Sequence, residues 1–165
     1  MQVMQDTDQH WMQEALRLAR LGAALDEVPV GAIVVHENRI VGRGYNSPIS
    51  RVDPVAHAEI QALRDAAVTL NNYRLVDCDL YVTLEPCTMC AGAVVHSRIR
   101  RLIYGASEPK AGAVASQVRL LDMPWLNHSV AVAGGVLEEE CSQLLSDFFR
   151  RRRLEKKQAK QQGCC

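Results

Sequence analysis

The chain has 165 residues, is 48% hydrophobic and 23% charged, and carries a formal net charge of zero. Such a chain makes one domain with a core that needs no disulfides, and the longest apolar runs are far short of a membrane span. A membrane-spanning protein and a disulfide scaffold are therefore excluded as expectations. The start, Met1 to Asp6, has no basic stretch followed by an apolar one. A cytoplasmic, reducing location is expected, with Cys78, Cys141, Cys164 and Cys165 as free thiols. The neutral total is unevenly spread. Residues 150–160 hold seven basic residues and one acidic residue, Glu155, and residues 1–149 balance them with six net negative charges. A basic end on an acidic body suits an anionic partner, and a solvated helix face accounts for it equally well.

Residues 6–26 read as a helix, with Asp8 as its cap and Trp11, Met12, Ala15, Leu16 and Ala19 at helical spacing. Glu27-Val28-Pro29 ends it. The apolar run 30–35 is a buried strand, Glu37-Asn38 a tight turn, and 39–44 the returning strand. A loop over 45–54, with Pro48 and Pro54 as breakers, leads to a helix over 56–70. A third strand, 80–84, stops at Glu85-Pro86, and a helix follows over 87–97. A fourth strand spans 101–105, a loop of small residues 106–124, and a short fifth strand 129–133. The last helix, 136–154, runs into the basic end. Strands separated by helices predict an α/β fold, a five-stranded mixed sheet opening with an antiparallel hairpin and covered on both faces. The expected organisation is one domain over 1–154 and a flexible basic tail over 155–165.

Two stretches concentrate the chemistry: His57-Ala58-Glu59 and Pro86-Cys87-Thr88-Met89-Cys90. One imidazole and two thiols suit zinc, and three protein ligands leave a position open for water, as in catalytic rather than structural sites. Cys87 and Cys90 are i and i+3, neighbours in the first turn of a helix. His57 and Glu59 are i and i+2 and do not face each other along a helix. They converge only if the metal lies beyond the helix end or His57 is not yet helical. Two helix N-termini aimed at one ion would stabilise the thiolates. His96 lies too far round its helix from Cys90 to be a fourth ligand; it reads as a packing or surface histidine, as do His10, His36 and His128.

The pair of motifs, in this order, is the known signature of the zinc-dependent deaminases, tRNA adenosine deaminase among them. The chain resembles that superfamily, and within it the bacterial tRNA-specific adenosine deaminases. The resemblance extends to Pro29-Val30-Gly31-Ala32, Gly44-Tyr45-Asn46, Asp53-Pro54, Asn72-Tyr73-Arg74-Leu75, Tyr81-Val82-Thr83-Leu84-Glu85, His96-Ser97-Arg98 and the segment Leu144 to Arg150. It implies a three-layer α/β/α cytidine deaminase-like fold. It also implies hydrolysis of the wobble adenosine of an arginine tRNA to inosine, in a homodimer with one Zn2+ per subunit. His57, Cys87 and Cys90 would be the metal ligands. Zinc would activate a water, and Glu59, not a ligand, would shuttle its protons.

Substrate contacts follow from the same resemblance. Asn46 would touch a base edge or ribose, although turn chemistry after Gly44 explains it too. Val28, Pro29 and Val30 would form an apolar wall for the base; by pattern alone they are ordinary strand-entry residues. The Ala58 backbone and Glu85 would line the pocket. Glu108 stands where the family often has aspartate, so any RNA contact there would be reshaped. Phe149, Arg150, Arg152 and Arg153 offer aromatic and cationic groups to an anticodon stem-loop. The rival readings are a deaminase of a free base or nucleoside (cytosine, guanine or deoxycytidylate type), a non-catalytic zinc-dependent nucleic-acid-binding module, and a redox Cys-x-x-Cys. The basic terminal helix disfavours the first. The missing fourth ligand and Glu59 disfavour the second, and the redox reading leaves His57-x-Glu59 without a purpose.

Overall fold

The computed structural model of the chain describes residues 2–162, leaving out the side chains of 2–6 and 162. Cys164 and Cys165 lie outside the described residues. In chain order the elements are α1 (Gln2–Ala24), β1 (Gly31–His36), β2 (Arg39–Tyr45), α2 (Pro48–Arg51), α3 (Ala58–Leu70), β3 (Asp79–Leu84), α4 (Thr88–His96), β4 (Arg101–Ala106), a 3₁₀ turn (Leu120–Asp122), β5 (Ala131–Ala133) and α5 (Glu138–Gln162).

The hairpin opens the sheet because Glu37 and Asn38 both take left-handed backbone, at φ 47 and 58. Two such residues give a turn whose twist matches the flanking strands. The sheet order is β2-β1-β3-β4-β5. β1 is antiparallel to both β2 and β3, and β4 is parallel to both β3 and β5. The five-stranded mixed sheet of the expected α/β fold is present.

Alternation along the strands makes two cores. Ala32, Val34, Leu80, Val82 and Leu102 pack with Ala62, Leu63, Ala66 of α3 and Ala91, Val94, Val95 of α4. Ile33, Val35, Tyr81 and Ile103 pack on the other face with Met12, Ala15, Leu16 of α1 and Cys141 of α5. Each fully buried Leu, Ile, Val or Met contributes about 1.5–3 kcal/mol of transfer free energy. α3 lies unusually close to β2. A Cβ on Gly42 would sit 2.2 Å from the Ala62 carbonyl oxygen, and one on Gly44 2.2 Å from that of Ala58. With alanines facing glycines, the helix is pressed onto the strand, which fixes where its N-terminus points.

At the N-terminal ends of β3 and β4 a charged network bolts α1 to the sheet. Tyr81 donates to Asp8 Oδ1 at 2.7 Å, and Arg101 reaches Asp8 at 2.9 Å and Asp79 at 3.2 Å. Arg100 grips Asp79 with two bonds, at 2.9 and 3.0 Å. The expectation that Asp8 caps α1 is thus corrected: the helix already begins at Gln2 and the Asp8 carboxylate faces the sheet. The loop expected over 45–54 contains α2, and its C-cap, Val52, is left-handed at φ 52. Residues 155–162 of the expected basic tail continue α5 as helix. Arg151 and Arg152 both pair with Glu155 one turn on, which supports helical geometry there. Among the described residues no helix is long and apolar enough to cross a membrane.

Candidate metal centre and its surroundings

Helix N-caps are normally Ser, Thr, Asp or Asn. Here α3 is capped by His57 and α4 by Cys87, each in extended backbone, at φ −73, ψ 154 and φ −74, ψ 175. The imidazole makes no capping bond. Both side chains turn outward past the helix ends and meet. His57 Nδ1 lies 3.7 Å from Cys87 Sγ and 3.6 Å from Cys90 Sγ. All three ligand atoms lie within 4.8 Å of one another. His57 is therefore not helical, the alternative that lets it converge with Glu59.

The spacing fits a metal ion. Zinc bonds of about 2.05 Å to nitrogen and 2.3 Å to sulfur, meeting tetrahedrally, put the two ligand atoms about 3.6 Å apart. The donor set also carries the right polarity. Bonds from the Cys90 thiol and from His57 hold the Cys87 thiol down to about 3. The same bond, with burial, pushes Cys90 up, while the Cys87 thiolate raises His57. The cluster thus shares protons around one anionic sulfur, and a cation replaces them. His57, Cys87 and Cys90 can hold a metal, and among the described residues no fourth His, Cys, Asp or Glu joins the group.

Glu59 is 4% exposed and stands in the first turn of α3. Burial and then the Cys87 charge push its carboxyl up, to about 7, against donation from its own N–H and the positive His57. Asn46 follows β2 and closes the other side. Its N–H donates to the Val30 carbonyl at 3.1 Å, and its Oδ1 accepts the Ala58 N–H at 2.9 Å. It thus caps α3 from outside, in place of the His57 side chain. Val28 is half-buried, Pro29 and Val30 are buried, and the Val30 N–H turns back to the Val28 carbonyl at 2.8 Å.

Glu85 was expected to line the pocket, and the structure places it against a loop. It is 2% exposed. It receives the N–H groups of Glu108 (3.0 Å), Val114 (3.2 Å), Ala115 (2.7 Å) and Ser116 (2.9 Å), and the Ser116 hydroxyl. Burial alone would raise its carboxyl; the bonds from Ser116, Ala115 and Glu108 outweigh burial and hold it at about 2. Glu108 turns back on its own loop and accepts the Lys110 N–H at 2.9 Å. The α5 residues make their contacts elsewhere: Arg150 with Asp147, Arg151 with Asp26, Arg152 with Glu155. Phe149 and Arg153 are exposed. His96 is exposed at the end of α4, and His128 donates to the Ile99 carbonyl, a packing role.

The motif reading missed Glu27. Its side chain is 1% exposed and Oε1 accepts the Ser50 N–H of α2 at 2.7 Å. A carboxylate in a helix-breaking tripeptide gives no periodic signal; only the contact across 23 residues reveals it.

A model of the MafB19-like deaminase family matches residues 6–153. The chain is 54% identical to the tRNA-specific adenosine deaminase of Haemophilus influenzae, over 94% of this chain and 90% of that one. It is 42% identical to that of Bacillus subtilis, over 93% and 95%. A solved structure from a study of A-to-I editing by tRNA:A34 deaminases at the wobble position of transfer RNA superposes with a TM-score of 0.80. It is 47% identical and covers 82% of this chain and 99% of its own. The guanine deaminase of Nitrosomonas europaea superposes at 0.72, with 28% identity over 85% and 83% of the two chains.

Proposed function

The chain belongs to the family of tRNA-specific adenosine deaminases, and on that premise we propose that it converts the wobble adenosine of an arginine tRNA to inosine by hydrolysis. The observation that carries the reading is the meeting of His57 Nδ1 and the Cys87 and Cys90 sulfurs beside a buried Glu59. These three atoms would hold Zn2+, one per subunit of a homodimer, and zinc there would supply Lewis acidity that makes a water more acidic.

The chain's own groups do the rest. The Glu59 carboxylate takes a proton from the attacking water and hands it to N1 of the adenine. It then carries the second proton to the departing ammonia at C6. A carboxyl that titrates near neutrality both accepts and donates at working pH. Asn46 spends Oδ1 on Ala58, which leaves its NH2 group to donate to the ribose or base edge. Val28, Pro29 and Val30 supply the apolar wall for the flipped base. The exposed face of α5, with Phe149, Arg150, Arg152 and Arg153, meets the stem-loop backbone. Glu108 contacts the loop RNA, and the enzyme works in the cytoplasm, where its substrate is.

The test is a deamination assay with zinc-loaded protein on an arginine tRNA with an adenosine wobble base, free adenosine, free cytidine and guanine, with Glu59→Ala as control. Inosine in the tRNA alone, lost in the control with zinc still bound, is the expected result. Turnover of a free base or nucleoside and not of the tRNA would overturn the substrate. Retained activity in Glu59→Ala would overturn the mechanism.

A further inference from the structure

The loop between β4 and the 3₁₀ turn has a few bonds of its own, such as Gly112 N–H to the Glu108 carbonyl at 2.8 Å, but buries little. Over residues 107–119 only Gly112, Ala113 and Val114 are buried. It is nevertheless fastened at both edges of one carboxylate. Three consecutive backbone N–H groups, at Val114, Ala115 and Ser116, converge on Glu85 Oε1 within 3.2 Å. Oε2 takes the Glu108 N–H and the Ser116 hydroxyl. Successive N–H groups turned to one point form an anion-binding concavity, and here the anion is part of the chain. Gly112 is shaped around it: a Cβ there would lie 2.4 Å from Glu85 Cδ and Oε2. The same loop is tied to the metal turn, because the Ala113 N–H donates to the Pro86 carbonyl at 2.9 Å, one residue before Cys87. Glu85 also donates its own N–H to Ala106 at the end of β4. One residue therefore joins β3, the metal turn and both halves of the loop that carries Glu108.

We infer that Glu85 is a positioning residue: its carboxylate fixes the 107–117 loop against the metal turn and so sets where that loop meets the RNA around the target base. This rests on the proposed reading of the substrate. Glu85 neither holds the metal nor touches the reacting atoms, so its loss acts on substrate binding more than on the chemical step.

Glu85→Gln is the direct test, because it keeps the shape and replaces one accepting oxygen with an NH2 group that faces N–H donors. With zinc content at the wild-type value, KM for an anticodon stem-loop should rise about tenfold while kcat stays within about threefold, since lost uniform binding shows in KM. Amide exchange at 114–116 should speed by at least tenfold. Gly112→Ala is the second variant: it presses on the Glu85 carboxylate from the loop side with Glu85 unchanged, and should give the same split if Glu85→Gln fails to fold. A KM equal to wild type in a folded, zinc-loaded variant would overturn the inference, as would slow exchange at 114–116. A fall in kcat with KM unchanged would overturn it too. A wild-type chain that did not deaminate the stem-loop would instead overturn the proposed function, and the exchange rates alone would still decide whether Glu85 anchors the loop.

Discussion

β3 has a cysteine just outside each end, and the two thiols are driven in opposite directions. Cys78, before β3, is fully buried and pushed up to about 11 by burial and by the neighbouring Asp79 and Asp77. Cys87, beyond the other end, is held down to about 3. The carboxylates differ in the same way. At the Cys78 end, Asp8 and Asp79 are paired with guanidinium groups of Arg100 and Arg101. At the Cys87 end, Glu85 and Glu27 are satisfied by backbone N–H groups and one hydroxyl. One end closes charge against charge and locks α1 to the sheet. The other neutralises its anions with dipoles, which shape loops and add no cation beside the sulfurs. A guanidinium there would repel an incoming metal ion; helix N-termini and backbone amides favour thiolates without doing so.

Glu59 separates the two ends most strongly. Glu59→Gln should retain the metal and the fold and lose about 10²–10⁴ in kcat, the range for a removed acid–base group. Stopped assays with parallel metal analysis check it. Arg101→Met works at the opposite end and should do the reverse. It leaves Asp8 and Asp79 short of a partner in a partly buried network, so urea melts should show a loss of about 2–3 kcal/mol, below the 3–5 of a fully buried pair because Arg101 is 25% exposed. Its kcat/KM should stay within twofold.

The Cys78 thiol sharpens the contrast through pH. Its folded pKa is raised above the ordinary value of 9 to about 11. A raised pKa gives stability that is whole below pH 9 and is lost as pH rises from 9 through 11, because only the unfolded thiol ionises in that window. The loss should reach roughly 2–3 kcal/mol. Urea midpoints across pH 8–11 measure it, and Cys78→Ala should flatten that slope. Smallest is Glu27→Gln, which weakens one bond into α2 and should cost about 1 kcal/mol, the scale of a helix cap. Amide exchange should speed at Ser50 and leave 114–116 unchanged, which would separate the two carboxylate-held loops.

The grouping of His57, Cys87 and Cys90 and most strands are legible in the sequence because both rest on local spacing. Cys87 and Cys90 announce a shared helix face, His57-x-Glu59 forces the ion off a helix end, and alternation marks the strands. What stayed hidden depends on contacts between distant residues. Asp8 looks like a cap until Arg101, 93 positions away, is seen beside it. Glu85 looks like a pocket wall until the loop 23–31 residues on is found folded over it. Asn46 carries two readings, a substrate contact and turn chemistry, and the bond it accepts from the Ala58 N–H, 12 residues on, is one that no local pattern announces. The end of α5 reads as a tail from its basic composition; Glu155 beside the arginines supplies helical pairs that composition hides.

The glycines of β2 carry a consequence for how this chain can vary. Gly42 and Gly44 have no side chain to offer a ligand and sit on an edge strand, where sequence drift is usually cheap. Yet each is in backbone contact distance of α3, and His57 caps the N-terminus of α3. Any side chain there presses on the α3 backbone and shifts the helix start that places the imidazole. In a selection for editing, these two positions would score like metal ligands, and a screen blind to the structure would file two packing residues under chemistry.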